Sequence, residues 1–263
     1  MTPTRGCWST PLEFRRSWLG TVLGNVVLGY DSTVPVTVED MVRATAAVTR
    51  GAKRAFVVAD MPFGSYQSDV PTAIKNAARL MKEGGAQSVK LEGGMSMEKT
   101  ISALVDAGMP VMGHVGFTPQ SIHSFGGYRV QGRGENAERV IEDALAVERA
   151  GAYSVVLELM PSELSKEITE RLTIPTIGIG AGPHCDGQIQ VLHDMLGLDP
   201  TFRPRHAGHY GDFAEAITDA VRRYVDDVAT GSSRGPGVAL LASGLNLFGS
   251  GFVVCEQREH MRL

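Results

Sequence analysis

Asp60, Glu92, His114 and Glu158 each stand at or just past the end of a short apolar run, and Lys90 precedes Glu92 by two positions. Neighbouring parallel strands run about 5 Å apart, so acids closing adjacent strands meet at one end of a sheet. Two such carboxylates suit a hard divalent cation, because magnesium is commonly held by one or two carboxylates, waters and substrate oxygens. Asp60 and Glu92 are therefore candidate magnesium ligands in a site that would borrow further oxygens from a 2-oxo acid. The competing reading is a pair of salt bridges, Asp60 with Arg54 or Glu92 with Lys90.

Side chains two apart on a strand share a face, so Lys90 and Glu92 point the same way, which in a barrel is inward. An inward lysine needs an anionic partner; it could bind a substrate carboxylate or form a Schiff base. His114 offers a substrate or catalytic contact, or a satisfied structural ring. Glu158 is followed by Leu159-Met160-Pro161, an apolar setting that raises a carboxylate pKa toward the range of a general base, and it is the preferred proton acceptor. Gly178, Gly180 and Gly182 resemble a phosphate-binding turn, though such spacing equally suits tight packing.

The apolar runs are Phe56 to Ala59, Ser88 to Leu91, Pro110 to Gly113, Ser154 to Leu157 and Thr176 to Ile179, and helical sequence separates them. Continuous β-branched runs alternating with amphipathic helices indicate parallel strands covered on both faces. Such sheets present their chemistry at the C-terminal strand ends. Helices are expected from Val38 to Arg50 behind Thr37 and Asp40, from Pro71 to a stop at Gly84-Gly85, after a Ser96 cap, from Glu135 to Ala150, from Ser162 to Arg171, and from Asp212 to Val228. Gln190 to His193 reads as a sixth strand. The loop after His114, through Phe125-Gly126-Gly127-Tyr128 to Gly132-Arg133-Gly134, is of the long kind that carries function.

A chain of 263 residues with 43% hydrophobic and 21% charged residues and 31 glycines suits one α/β domain with many tight turns. The net charge of -4 leaves no nucleic-acid footprint and no polybasic membrane patch. Cys7, Cys185 and Cys255 lack CxxC pairing, so neither a disulfide framework nor a thiolate metal site is expected. With no signal-peptide core and no membrane-length apolar run, the reading is a cytoplasmic protein.

Longer motifs add a resemblance. Val27 to Thr37 (VLGYDSTVPVT), Ala59 to Phe63 (ADMPF), Val89 to Gly94 (VKLEGG), Gly113 to Gln120 (GHVGFTPQ), Phe125 to Arg133 (FGGYRVQGR) and Ile177 to Gly182 (IGIGAG) are similar to ketopantoate hydroxymethyltransferases. The resemblance covers about residues 19 to 231. It implies a (β/α)8 TIM barrel of the phosphoenolpyruvate/pyruvate superfamily. The implied reaction transfers a hydroxymethyl group from 5,10-methylenetetrahydrofolate to 3-methyl-2-oxobutanoate, giving 2-dehydropantoate for pantothenate biosynthesis. Carried over by position, it makes Asp60 a magnesium ligand that also contacts substrate, Glu92 a second magnesium ligand, Lys90 a substrate-carboxylate contact, His114 an active-site contact and Glu158 the proton acceptor. It also implies a homo-oligomer, in this family usually a decamer.

The chain departs from that pattern at Gly20-Thr21-Val22-Leu23-Gly24, where the family carries Gly-Asp-Ser-Leu-Gly. The aspartate there is a magnesium ligand and the serine binds substrate. The barrel is expected to lack its first β/α unit and part of the second strand. The domain reading is a divergent segment over 1–18, the barrel over 19–230 and a poorly ordered tail over 231–263, in which Val238 to Leu241 and Phe252 to Cys255 could form short strands. Two other readings accompany this one: an impaired homologue acting as an assembly partner or remnant, and a carbon-carbon lyase of the same superfamily. The lyase would want a cysteine in a basic loop, which His184-Cys185-Asp186-Gly187 does not provide.

Overall fold

A computed structural model describes residues 16–52 and 54–232; the apolar runs after Gly237, Cys7 and Cys255 lie outside them. Seven strands form one parallel sheet in sequential order: β1 (Arg16–Leu19), β2 (Phe56–Asp60), β3 (Ser88–Lys90), β4 (Val111–Gly116), β5 (Ser154–Glu158), β6 (Thr176–Ile179) and β7 (Gly187–Gln188). The helices are α1 (Leu23–Val26), α2 (Val38–Gly51), α3 (Val70–Lys82), α4 (Glu98–Asp106), α5 (Ile122–Phe125), α6 (Asn136–Arg149), α7 (Ser162–Arg171), α8 (Leu192–Leu196) and α9 (Phe213–Thr230). The chain falls into two compact units, 1–190 and 191–263, the first holding the whole sheet and the second α8 and α9.

Local chemistry sets the element ends. Thr37 and Asp40 close a reciprocal capping box at the start of α2. Asp69 caps α3, which has Pro71 in its first turn. Ala73, Ala77 and Leu80 form the fully buried stripe of α3 that presses on the sheet.

Strand residues alternate between two layers. Ala59, Val89, Val111, Val155 and Leu157 pack with the helices in the main core. Val58, Met112 and Val156 form a second cluster on the opposite face, with Trp18, Phe56, Tyr153, Ile177 and Ile179 against it. Asp60, His114 and Glu158 are each two residues on from Val58, Met112 and Val156, so they share that inner face. A sheet whose helices cover one face and whose strands keep polar ends on the other is the expected α/β barrel architecture, here with seven strands among the described residues.

Two expectations need correction. Gln190 to His193 is not a strand: β7 lies earlier, at Gly187–Gln188, paired with Ile177 and Gly178. Leu192 to Leu196 is instead a helical turn ended by left-handed Gly197, a short apolar pattern that periodicity alone does not resolve. Ser96 does not cap a helix; it sits inside a 3-10 turn over Met95–Met97. Asp143 does the work there, accepting the Met95 N–H at 2.9 Å from across on α6.

Candidate active site

Lys90 sits at the centre of the inner face, at 1% exposure. Its Nζ lies 2.6 Å from Asp60 Oδ1, 3.4 Å from Glu92 Oε1 and 3.2 Å from His114 Nδ1. Beyond the ring, His114 Nε2 stands 3.0 Å from Glu158 Oε2. The structure therefore brings all five sequence-derived site residues into one cluster. The Glu92–Lys90 half of the salt-bridge reading is present in the same geometry, and Asp60 takes Lys90 as its ion-pair partner.

Strand pairing places these groups. Asp60 is in register with Lys90, Lys90 with Met112, and His114 with Val156. Glu92 lies just past β3, where the Gly93 amide bonds the His114 carbonyl at 2.9 Å and keeps the chain against β4.

Burial and charge tune the group. Burial pulls the Lys90 ammonium toward a lower pKa, but the carboxylates of Asp60 and Glu92 outweigh it and hold the amine charged. Glu92 is pushed up to about 7, chiefly by burial. His114 is held well below the usual imidazole range, first by burial and then by the Lys90 charge, so its ring is neutral. An ammonium can only donate, so Nδ1 accepts from Lys90 and the ring proton resides on Nε2, facing Glu158. Burial, then the charge of Glu92, raises Glu158 well above the carboxylate range. Its side chain keeps 14% exposure, against 1–3% for Lys90, Asp60, Glu92 and His114. Of the five, Glu158 is the most exposed.

Residues without an assigned role in the sequence complete the site. Thr21 donates twice to Asp60 Oδ2, from its amide at 2.8 Å and its hydroxyl at 2.9 Å. Gln120 donates its amide to Glu92 Oε2 at 3.0 Å and its side-chain nitrogen to the Met61 carbonyl at 2.9 Å. Its side-chain oxygen accepts from Tyr66, whose hydroxyl oxygen accepts the Glu92 amide. Trp18 lies 4.9 Å under Lys90 Nζ, a cation–π contact, with its ring edge-on to His114. The spacing of Gln120 within its motif could have flagged it; Tyr66, in an irregular loop, carried no periodic signal. The Gly178-Gly182 turn serves packing: a Cβ at Gly182 would stand 2.4 Å from Ser162 Oγ and one at Gly178 3.0 Å from Cys185 Sγ.

A family model described as ketopantoate hydroxymethyltransferase matches residues 16–233. The chain belongs to the ketopantoate hydroxymethyltransferase family. It is 60% identical over 208 residues to a Roseiflexus protein named 3-methyl-2-oxobutanoate hydroxymethyltransferase, covering 79% of this chain and 74% of that one. A Geobacter sulfurreducens protein of the same name is 56% identical over 214 residues, 81% of this chain and 80% of its own. One from Leifsonia xyli is 53% identical over 218 residues, 83% and 79%. Among solved structures, a phosphonopyruvate hydrolase aligns with a TM-score of 0.51 at 13% identity over 86% of this chain and 78% of its own, a likeness of fold. As a ketopantoate hydroxymethyltransferase family member, the chain starts its matched region at β1, three residues before the barrel boundary expected from sequence.

Among the described residues, no group of three or more His, Cys, Asp or Glu side chains is arranged to hold a metal ion, and no helix is long and apolar enough to cross a membrane. Two hard carboxylates remain, and Asp60 Oδ1 is buried with an ion-pair contact but no hydrogen bond. This donor set fits magnesium only as a two-carboxylate site completed by water and substrate oxygens.

Proposed function

We propose that this chain is a 3-methyl-2-oxobutanoate hydroxymethyltransferase, using 5,10-methylenetetrahydrofolate as one-carbon donor and yielding 2-dehydropantoate. The observation that carries the reading is the convergence of Asp60, Lys90, Glu92, His114 and Glu158 on one buried face, in a chain of this family. Lys90 supplies the charge for the substrate carboxylate, and Asp60 and Glu92 would hold magnesium. When bound, magnesium would draw electrons from the oxo acid and stabilise the enolate.

Glu158 takes the proton from C3. Its raised pKa narrows the gap to a weak carbon acid, each unit being worth about 1.4 kcal/mol. Neutral His114 stands with Nε2 3.0 Å from Glu158 Oε2 and does not compete for the proton. Water releases the one-carbon unit of 5,10-methylenetetrahydrofolate as formaldehyde, its two protons going to the two folate nitrogens as both C–N bonds break; the C3 carbanion adds to the formaldehyde carbon, and the resulting alkoxide takes the proton held by Glu158 to become the hydroxyl.

The same reading places the enzyme in the cytoplasm as a homo-oligomer, with no nucleic-acid or membrane partner. The test is magnesium-dependent exchange of the C3 proton in deuterated water. The parent chain should exchange and Glu158→Gln should not; exchange that survives the substitution assigns the base elsewhere.

A further inference from the structure

Four successive strands leave the inner face through left-handed residues: Gly93 after β3 (φ 122°), Gly116 at the end of β4 (φ 91°), Leu159 after β5 (φ 48°) and Gly180 after β6 (φ 62°). Three are glycines, which enter that region freely. Leu159 is the one non-glycine residue with positive φ among the described residues, and a Cβ makes that conformation unfavourable.

Main-chain bonds from three other segments hold it there. Phe117 N–H donates to the Glu158 carbonyl at 2.8 Å, Leu159 N–H to the Ile179 carbonyl at 2.9 Å, and Gln131 N–H to the Leu159 carbonyl at 2.9 Å. Gly116 makes room for the turn, since a Cβ there would stand 2.4 Å from the Glu158 carbonyl oxygen and 2.7 Å from Met160 Cε.

A residue with a Cβ in the left-handed well is confined to a small island of φ and ψ, whereas glycine ranges across the positive-φ half. We propose that Leu159 is a positioning residue whose strained, narrowly confined backbone fixes the direction in which the Glu158 carboxylate leaves β5. That direction puts Oε2 3.0 Å from His114 Nε2. A misplacement of about 1 Å can cost a reaction on the order of a hundredfold, and strain held in place by its surroundings is commonly found at reacting groups. The inference rests on Glu158 being the proton acceptor and adds what keeps that acceptor on target.

The test compares Leu159→Ala and Leu159→Gly in the full chain, with Glu158→Gln alongside, by C3 proton exchange and thermal unfolding. Both Leu159 variants lose the same apolar side chain, but only Ala retains the Cβ restriction. Leu159→Ala should keep its limiting exchange rate within about threefold of the parent, and Leu159→Gly should fall about tenfold, both with KM for the oxo acid within about twofold. Leu159→Gly should nevertheless melt above Leu159→Ala, because glycine accepts the left-handed backbone without strain. A purely structural role would make activity follow stability. Equal exchange in the two variants, or a Gly variant that loses exchange and melting temperature together, overturns the proposal while leaving Glu158 as base. Exchange persisting in Glu158→Gln, or absent from the parent, overturns the base assignment and this proposal with it.

Discussion

Thr21 clamps Asp60 by two hydrogen bonds to one oxygen, Oδ2, and so turns the other, Oδ1, onto Lys90. The amide bond survives any substitution except proline; the hydroxyl bond survives only where a hydroxyl is kept, as in serine. Thr21→Val should cost about 1.5–3 kcal/mol, the usual worth of a hydrogen bond to a charged group. Thr21→Asp should destabilise the metal-free chain by placing like charges together, and magnesium should recover more melting temperature in that variant than in the parent. Equal magnesium responses in a thermal-shift titration would show that residue 21 does not face the cation.

Lys90 holds two carboxylates inside the sheet. Replacing it with methionine keeps the length and removes the charge, leaving Asp60 and Glu92 buried without their counter-ion. Lys90→Met should cost about 3–5 kcal/mol at neutral pH, the penalty for breaking a buried pair from one side. The loss should shrink at pH 5, where Glu92 takes up a proton. Urea unfolding at both values checks it.

Glu92 gives stability a pH slope with a definite sign. Burial pushes its pKa up to about 7 from an ordinary 4.5. Between those values the folded chain keeps a proton that the unfolded chain has released, so stability falls as pH rises and levels off above about 7. Glu158 acts in the same direction. In EDTA, Glu92→Gln should flatten the pH 5–7 segment by as much as one proton's worth, about 1.4 kcal/mol per pH unit. An unchanged slope in urea titrations across that range would place the proton on another group.

Much of this site was legible because alternation on a strand is a strict rule. Once Val58, Met112 and Val156 were recognisable as strand residues, the residues two further on had to share their face, and Asp60, His114 and Glu158 followed. Lys90 and Glu92 met on the same ground. What escaped was set by contacts between distant segments. Tyr66 and Gln120 reach Glu92 from separate loops, and Asp143 on α6 holds the Met95 amide at the turn where Ser96 was expected to cap. Leu192 to Leu196 was too short for its helical period to beat an extended reading, and left-handed Gly197 decided it. The conformation of Leu159 had no sequence signal, because leucine is not a residue that announces a left-handed turn.

The parallel ladder also acts as a ruler during folding. Asp60 is aligned with Lys90, and Lys90 with Met112. Sliding β3 by a single residue would swing the ammonium out among the alanines and leucines beneath the helices and drive Val89 or Leu91 in among bare carboxylates. Every such misalignment strands charges in hydrocarbon, so the groups suited to chemistry also proofread the assembly of the sheet that carries them.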